Sequence, residues 1–390
     1  MRRCTLFYLP LLATTWLIAS AGAQDLFKTY DTRYYVLRTD LSAKGVQEIS
    51  RHVTKMAEEF HQRTRGFAGA VQERLPIHVF QHAEDYYAAG GMPGTAGVFN
   101  GTRLMLVAGE ELSARSWHVI QHEAFHQFAL AAIGRQLPPW ANEGLAEYFG
   151  HGVYTGDNFY TGLIPTTRLA QVKKAIEDDQ FKPLRQMMRL RQDVWNAEIN
   201  LAHASAGLNY LQAWSMIHFL AHADHGHYQD AFAIFLRGVS HGQSWEQAWS
   251  RAFGNSVEAF QQRWEEYWLN LPEDPTEELR AEIVVSILTS HFARAFSQRQ
   301  LFDNMDEFLA AAEAGELKSH PEDWLAPRLL EAAIKNIPEV GTWSIQRRPG
   351  KRLVVCERPD GTRLEGQFRI RNHRVQSVEV YTRAPQKKRK

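Results

Sequence analysis

Cysteine is almost missing from this chain, with Cys4 and Cys356 the only two in 390 residues. Cys4 precedes an apolar run that reads as a cleavable leader, so Cys356 is left alone, and a single thiol cannot staple a fold internally. An excess of charge is missing too: 44 Lys and Arg balance 44 Asp and Glu, which gives no electrostatic pull toward nucleic acid. Long apolar runs are also absent. The one stretch that approaches such a run, Leu6 to Ile18, is interrupted by Pro10, Thr14 and Thr15 and falls short of the ~20 residues a spanning helix needs. No repeat of fixed period is visible. What remains is ordinary globular composition, 44% hydrophobic and 23% charged, long enough for two or three domains that rest on their hydrophobic cores.

The first 23 residues have the order of a secretory signal: Arg2 and Arg3, the apolar run, then the small residues Ala21-Gly22-Ala23. Cleavage there predicts a mature chain beginning near Gln24, secreted or periplasmic, with no stable membrane span and a net charge near −2 once the two arginines are gone. The other reading of the run is an uncleaved anchor. Cys4 stands before the apolar core, not at the cleavage site, so it is not placed as a lipoprotein cysteine.

The densest chemistry lies between His118 and Glu147, where His122, Glu123 and His126 form H-E-x-x-H. Residues four apart sit one above the other on a helix, so both imidazoles can reach one ion while Glu123 projects beside them. Trp117, Ile120, Ala124, Phe125, Phe128, Ala129 and Leu130 supply an apolar face for that helix, and Gly134 can end it. A catalytic zinc takes three protein ligands and leaves a position to water. Glu143, in Asn142-Glu143-Gly144, is the best third donor: Pro138 and Pro139 break the chain, and a second helix from Trp140 to Phe149 would carry Glu143 back toward the histidines. Glu147, one turn on, is either an orienter of a ligand or an exposed carboxylate. His218, His222, Asp224, His225 and His227 form another His-rich cluster, either a second metal site or a helix end with basic side chains.

The surrounding pattern is α+β. Residues 24–112 alternate strand and helix signals: a strand at Tyr34 to Leu37, an amphipathic helix at Ser42 to Arg65, a strand at Leu75 to Phe80, then Asn100-Gly101 between two apolar runs, a hairpin signal. A small mixed N-terminal sheet is expected. Residues 113–272 read as largely helical, with a Gly-, Tyr- and Thr-rich stretch from Gly150 to Pro165 that suits a loop over a cleft. A helical extension follows over 273–337, packed on the helices before it as a hairpin. Residues 338–384 alternate as a small C-terminal antiparallel β meander with a turn at Asp360-Gly361. The basic tail, 385–390, is a solvated end or a weak contact for an anionic envelope surface.

H-E-x-x-H followed by N-E-G-x-A is similar to the gluzincin metallopeptidases, thermolysin-like in their zinc site. The run LPPWANEGLAEYF more closely resembles the peptidase-MA-like domains of many bacterial proteins of unassigned activity, a likeness extending over about residues 30–270. The resemblance implies a zincin-like catalytic region that binds Zn2+ through His122, His126 and Glu143, with Glu123 as general base and a peptide or protein as substrate. It also implies an edge strand that pairs with extended substrate. The second strand of the Asn100-Gly101 hairpin is the candidate, and a merely packed hairpin is the alternative. For the oxyanion donor the separation from Glu143 favours Tyr210, with Tyr154, Tyr160 and His203 as rivals and a purely structural tyrosine as the other reading. Two departures stand out. Gly90-Gly91-Met92-Pro93-Gly94 lacks the glutamate of the G-x-M-E-N signature, which argues for endopeptidase over aminopeptidase, and the His126 to Glu143 spacing is shorter than in those aminopeptidases. A catalytically silent, zinc-stabilised binding protein and a hydrolase of cell-wall peptides remain as alternatives; an intact Glu123 argues against silence.

Overall fold

The computed structural model describes residues 27–108, 112–200, 204–254, 256–348 and 351–385. The leader at 1–23, His203 and the last five residues of the basic tail lie outside them. No described helix is long and apolar enough to cross a membrane.

The chain starts with the antiparallel strands β1 (Lys28–Asp31) and β2 (Tyr35–Thr39), crosses through α1 (Ala43–Thr64), and adds β3 (Leu75–Phe80) parallel to β2. Ser42 caps α1 by accepting from the Gly45 N–H, and the helix buries Ile49, Val53, Met56 and Phe60 at helical spacing. After α2 (Ala83–Ala88), the hairpin of β4 (Gly97–Phe99) and β5 (Leu104–Val107) completes a mixed sheet in the order β1-β2-β3-β5-β4. The hairpin's second strand is therefore not the edge. β5 sits between β3 and β4, consistent with Leu104, Met105 and Leu106 all being fully buried, and the edge on this side of the sheet, opposite β1, is the three residues of β4.

The helical region comprises α3 (Ala114–Ala132), α4 (Pro139–Gly150), the small hairpin β6 (Val153–Tyr154) and β7 (Phe159–Tyr160), then α5 (Thr166–Glu177), α6 (Leu184–Arg189), α7 (Gln192–Asn200), α8 (Ala204–Gly226), α9 (Gln229–Ser240), α10 (Trp245–Phe253) and α11 (Val257–Asn270). α8 leaves helical geometry at Ala223, with Asp224 and His225 at positive φ. One core joins the sheet to these helices through Phe60, Phe125, Phe149, Trp140, Trp214 and Trp268. The stretch from Gly150 to Pro165 is not a loop over a cleft. It is largely buried: the Thr155 hydroxyl meets Ser286 Oγ at 2.8 Å and Asn158 Nδ2 donates to the Val378 carbonyl at 3.0 Å.

The C-terminal part is α12 (Glu277–Ser297), α13 (Met305–Glu313), α14 (Pro327–Ile334) and α15 (Ile337–Val340), followed by β8 (Thr342–Arg348), β9 (Lys351–Glu357), β10 (Arg363–Arg371) and β11 (Arg374–Arg383) in one antiparallel meander. The helices of 273–337 do not form a hairpin laid on the catalytic helices. Val285, Leu288 and Phe292 of α12, Phe308 of α13 and Leu330 of α14 share one core with Val354, Cys356 and Leu364 of the meander. Buried Arg294 ties this layer to the hairpin, bonding Asp157 at 2.7 Å and Asp323 at 3.0 Å, while Arg51 of α1 reaches the same Asp323 at 2.8 Å. Cys356 is free and buried, and burial pushes its thiol up to about 12, which makes it unreactive.

Candidate metal centre

Ser113 caps α3 through the Ser116 N–H, and Ile120, Ala124, Phe125 and Phe128 bury one face, which turns His122, Glu123 and His126 toward the opposite, accessible side. α4 returns against that side and buries Glu143. Its close approach to α8 depends on Gly144: a Cβ there would lie 2.6 Å from the Ala213 carbonyl oxygen and 2.7 Å from Ile217. This gives a packing reason for the glycine of Asn142-Glu143-Gly144.

His122, His126 and Glu143 come together as the spacing predicts, with one donor atom of each within 4.8 Å of the others. Glu143 Oε2 is 3.4 Å from His122 Nε2 and 3.3 Å from His126 Nε2, and the two imidazole nitrogens are 3.1 Å apart. Burial disfavours charge on His122, but its bonds to Glu143 and Glu147 prevail and lift its pKa to about 10. Burial likewise opposes ionisation of Glu143, yet the charges and hydrogen bonds of His126 and His122 hold it down at about 2. Glu143 and Glu147 thus favour positive charge on the imidazole between them. Two imidazoles and a carboxylate also match the donor preference of zinc, so the residues present fit that ion.

Glu147 is not an exposed helix carboxylate. It is buried, and its Oε1 lies 3.1 Å from His122 Nδ1, the relation of an outer carboxylate that fixes a ligand's tautomer. It is held in turn by His118 at 3.3 Å and by Arg168 Nη2 at 2.7 Å, while the Arg168 guanidinium lies over the Trp214 ring, 4.5 Å from its centroid. His118, Glu147 and His151 also converge at metal-binding distances, but Arg168 contacts both Glu147 and His151 and already supplies the positive charge there. His118 was readable as one turn before His122 on the same face; Arg168 and His151 carried no local signal.

Glu123 is not drawn into the ligand cluster; its Oε2 accepts the Phe99 N–H at 2.8 Å, at the free edge of β4. Tyr210, on α8, has its ring 6.2 Å from that of His122, and burial followed by the charge of Glu143 pushes its pKa up, keeping the phenol protonated. Its rivals are placed elsewhere. Tyr154 donates to the Gly156 carbonyl at 2.6 Å, and Tyr160 lies in the groove between the β6–β7 hairpin and β11. The His218 cluster forms no metal-ligating group among the described residues: His218 Nε2 meets the Gly162 carbonyl at 3.0 Å and His222 meets the Tyr148 hydroxyl at 2.8 Å.

Beside the ligands opens a cavity of about 360 Å³, bounded by His126, Glu143, β4 and the turn between α3 and α4. No curated protein matches the chain. Residues 116–244, about a third of the chain, match the family described as protein of unknown function, DUF1570, and that segment contains the three ligand candidates, Glu123, Glu147, Arg168 and Tyr210.

Proposed function

We propose that the protein is an exported zinc-dependent peptidase of gluzincin type, acting as an endopeptidase. The observation that carries this reading is the convergence of His122, His126 and Glu143, with Glu123 beside them and held at the free edge of the sheet. Bound by those three side chains, zinc would supply Lewis acidity and lower the pKa of water toward neutrality. Glu123 is the group that takes the proton from the attacking water and passes it to the leaving amine. The Phe99 N–H fixes the position of the Glu123 side chain. The side of β4 that pairs with no strand offers its backbone groups, apart from the Phe99 N–H held by Glu123, to an extended peptide, so that the scissile carbonyl is laid along the strand beside Glu123. Tyr210, protonated and adjacent to His122, donates to the oxyanion. Glu147 and Arg168 fix His122 from behind.

The endopeptidase assignment rests on the sequence from Gly90 to Gly94, which has no glutamate to hold a free α-amine. The test is cleavage of a peptide library blocked at both termini, followed by mass spectrometry with and without a chelator. Chelator-sensitive internal cleavage that Glu123→Gln abolishes supports the reading; cleavage undiminished in Glu123→Gln defeats it.

A further inference from the structure

Resting on the peptidase reading, we infer that the cleft beside the ligands selects substrates carrying an acidic side chain a few residues from the scissile bond, through Arg135. Among the described residues, the cavity against His126 and Glu143 is lined by apolar Phe99, Leu130 and Leu137, by the amides of Asn142 and Gln192, and by one Arg or Lys, Arg135. The one carboxylate among these described lining residues is Glu143, already engaged with both histidines. Arg135 is exposed and has no ion pair or hydrogen bond among the described residues, whereas the neighbouring Arg191 is paired with Asp193 at 3.1 Å. Among the described residues the Asn142 amide likewise has no side-chain partner, and Gln192 spends only its Nε2, on Asn196. The free polar groups thus comprise a fork of donors, a further amide and a carbonyl, set in an apolar wall.

A guanidinium recognises a carboxylate through two parallel hydrogen bonds and repels an ammonium group. The position follows from the helix. Arg135 lies just past Gly134, whose φ of 103° ends α3, and His126 is less than two turns before that end. At 1.5 Å per helical residue this is roughly 10 Å, or about two to four residues of extended peptide. The wall between the two sites is apolar, so the intervening substrate residues are expected to be uncharged.

The experiment uses the mature protein and peptides blocked at both ends, so that no terminal carboxylate competes. Each peptide carries Glu, Gln or Lys at one of four positions on either side of the cleaved bond. The readout is the ratio of kcat/KM for Glu over Lys at each position, a quantity internal to each variant. The expected result is a ratio of about fivefold or more at one position two to four residues from the bond, as expected of a partly exposed ion pair. That ratio should collapse in Arg135→Ala and invert in Arg135→Glu, with zinc content and melting temperature confirming that both variants are folded. Cleavage with no charge preference, or a preference that survives Arg135→Glu, overturns the inference and leaves the peptidase reading standing. Absence of chelator-sensitive cleavage in every peptide removes the peptidase reading, and the inference with it.

Discussion

Phe99 donates its backbone N–H to Glu123 Oε2 at 2.8 Å, and this bond ties the free edge of the sheet to the central residue of the H-E-x-x-H helix. The strand that would receive a substrate and the carboxylate that would act on it are thereby fixed relative to each other. Glu123→Gln keeps the side-chain oxygen that accepts this bond while removing the base. It should retain zinc and fold, and lose on the order of a hundred- to ten-thousand-fold in kcat. Tyr210→Phe should lose about a hundredfold in kcat with little change in KM, as expected for a donor used only in the transition state. Steady-state kinetics beside elemental analysis checks both.

Metal removal follows from the ligand set. The protein should hold about one zinc per chain, and His126→Ala or Glu143→Ala should reduce the bound zinc measured after dialysis. Undiminished zinc in both variants would place the site elsewhere.

The pH dependence has a definite sign. Binding must displace the proton that metal-free His122 retains up to about pH 10, so apparent zinc affinity should rise by about tenfold per pH unit on approaching that value. The metal-free protein responds differently. A His122 pKa raised from 6.5 to about 10 contributes stability fully present below 6.5 and lost as pH rises through 10. Glu143, depressed from 4.5 to about 2, contributes stability present above 4.5 and lost as pH falls through 2. Thermal melts of chelated and zinc-loaded protein from pH 5 to 10 should therefore diverge as pH rises.

Arg168 holds Glu147, and Glu147 holds His122. Arg168→Met should weaken zinc binding by up to about tenfold, the low end of the range for a ligand's direct outer partner because Arg168 acts through Glu147, and Arg168→Lys should recover part of it. Competition titration against a chromophoric chelator measures this directly. Equal affinity in Arg168→Met and the parent protein would make the guanidinium merely structural.

Gly144→Val should be destabilising by about 1–3 kcal/mol or more, because the added side chain meets the Ala213 carbonyl and Ile217 where α4 crosses α8. Urea unfolding checks it. The same shift would move Glu143 and Tyr210 apart, so zinc content and kcat should fall together.

Export is checked by mass. The exported chain should begin near Gln24, and retention of Arg2 to Ala23 would overturn cleavage.

The local elements were legible because their signals are local. Leu75–Phe80 is the strand its apolar run predicts, Ser42 caps the helix that follows it, and H-E-x-x-H and Asn142-Glu143-Gly144 fall on two helices that bring His122, His126 and Glu143 together. Helical periodicity places side chains four residues apart on one face wherever the helix is found. The edge of the sheet was not legible, since the hairpin signal fixes that β4 pairs with β5 but not which of them meets β3. Nor was the burial of the stretch from Gly150 to Pro165, which depends on Ser286 and Val378 far along the chain. The positions of Tyr154, Tyr160 and Tyr210, the burial of Glu147, and the partners Arg168 and Phe99 were likewise set by tertiary structure. They depend on which distant segments share a surface, and that is set by how helices and strands bury their apolar faces against one another, a property of the whole chain that no window of sequence contains.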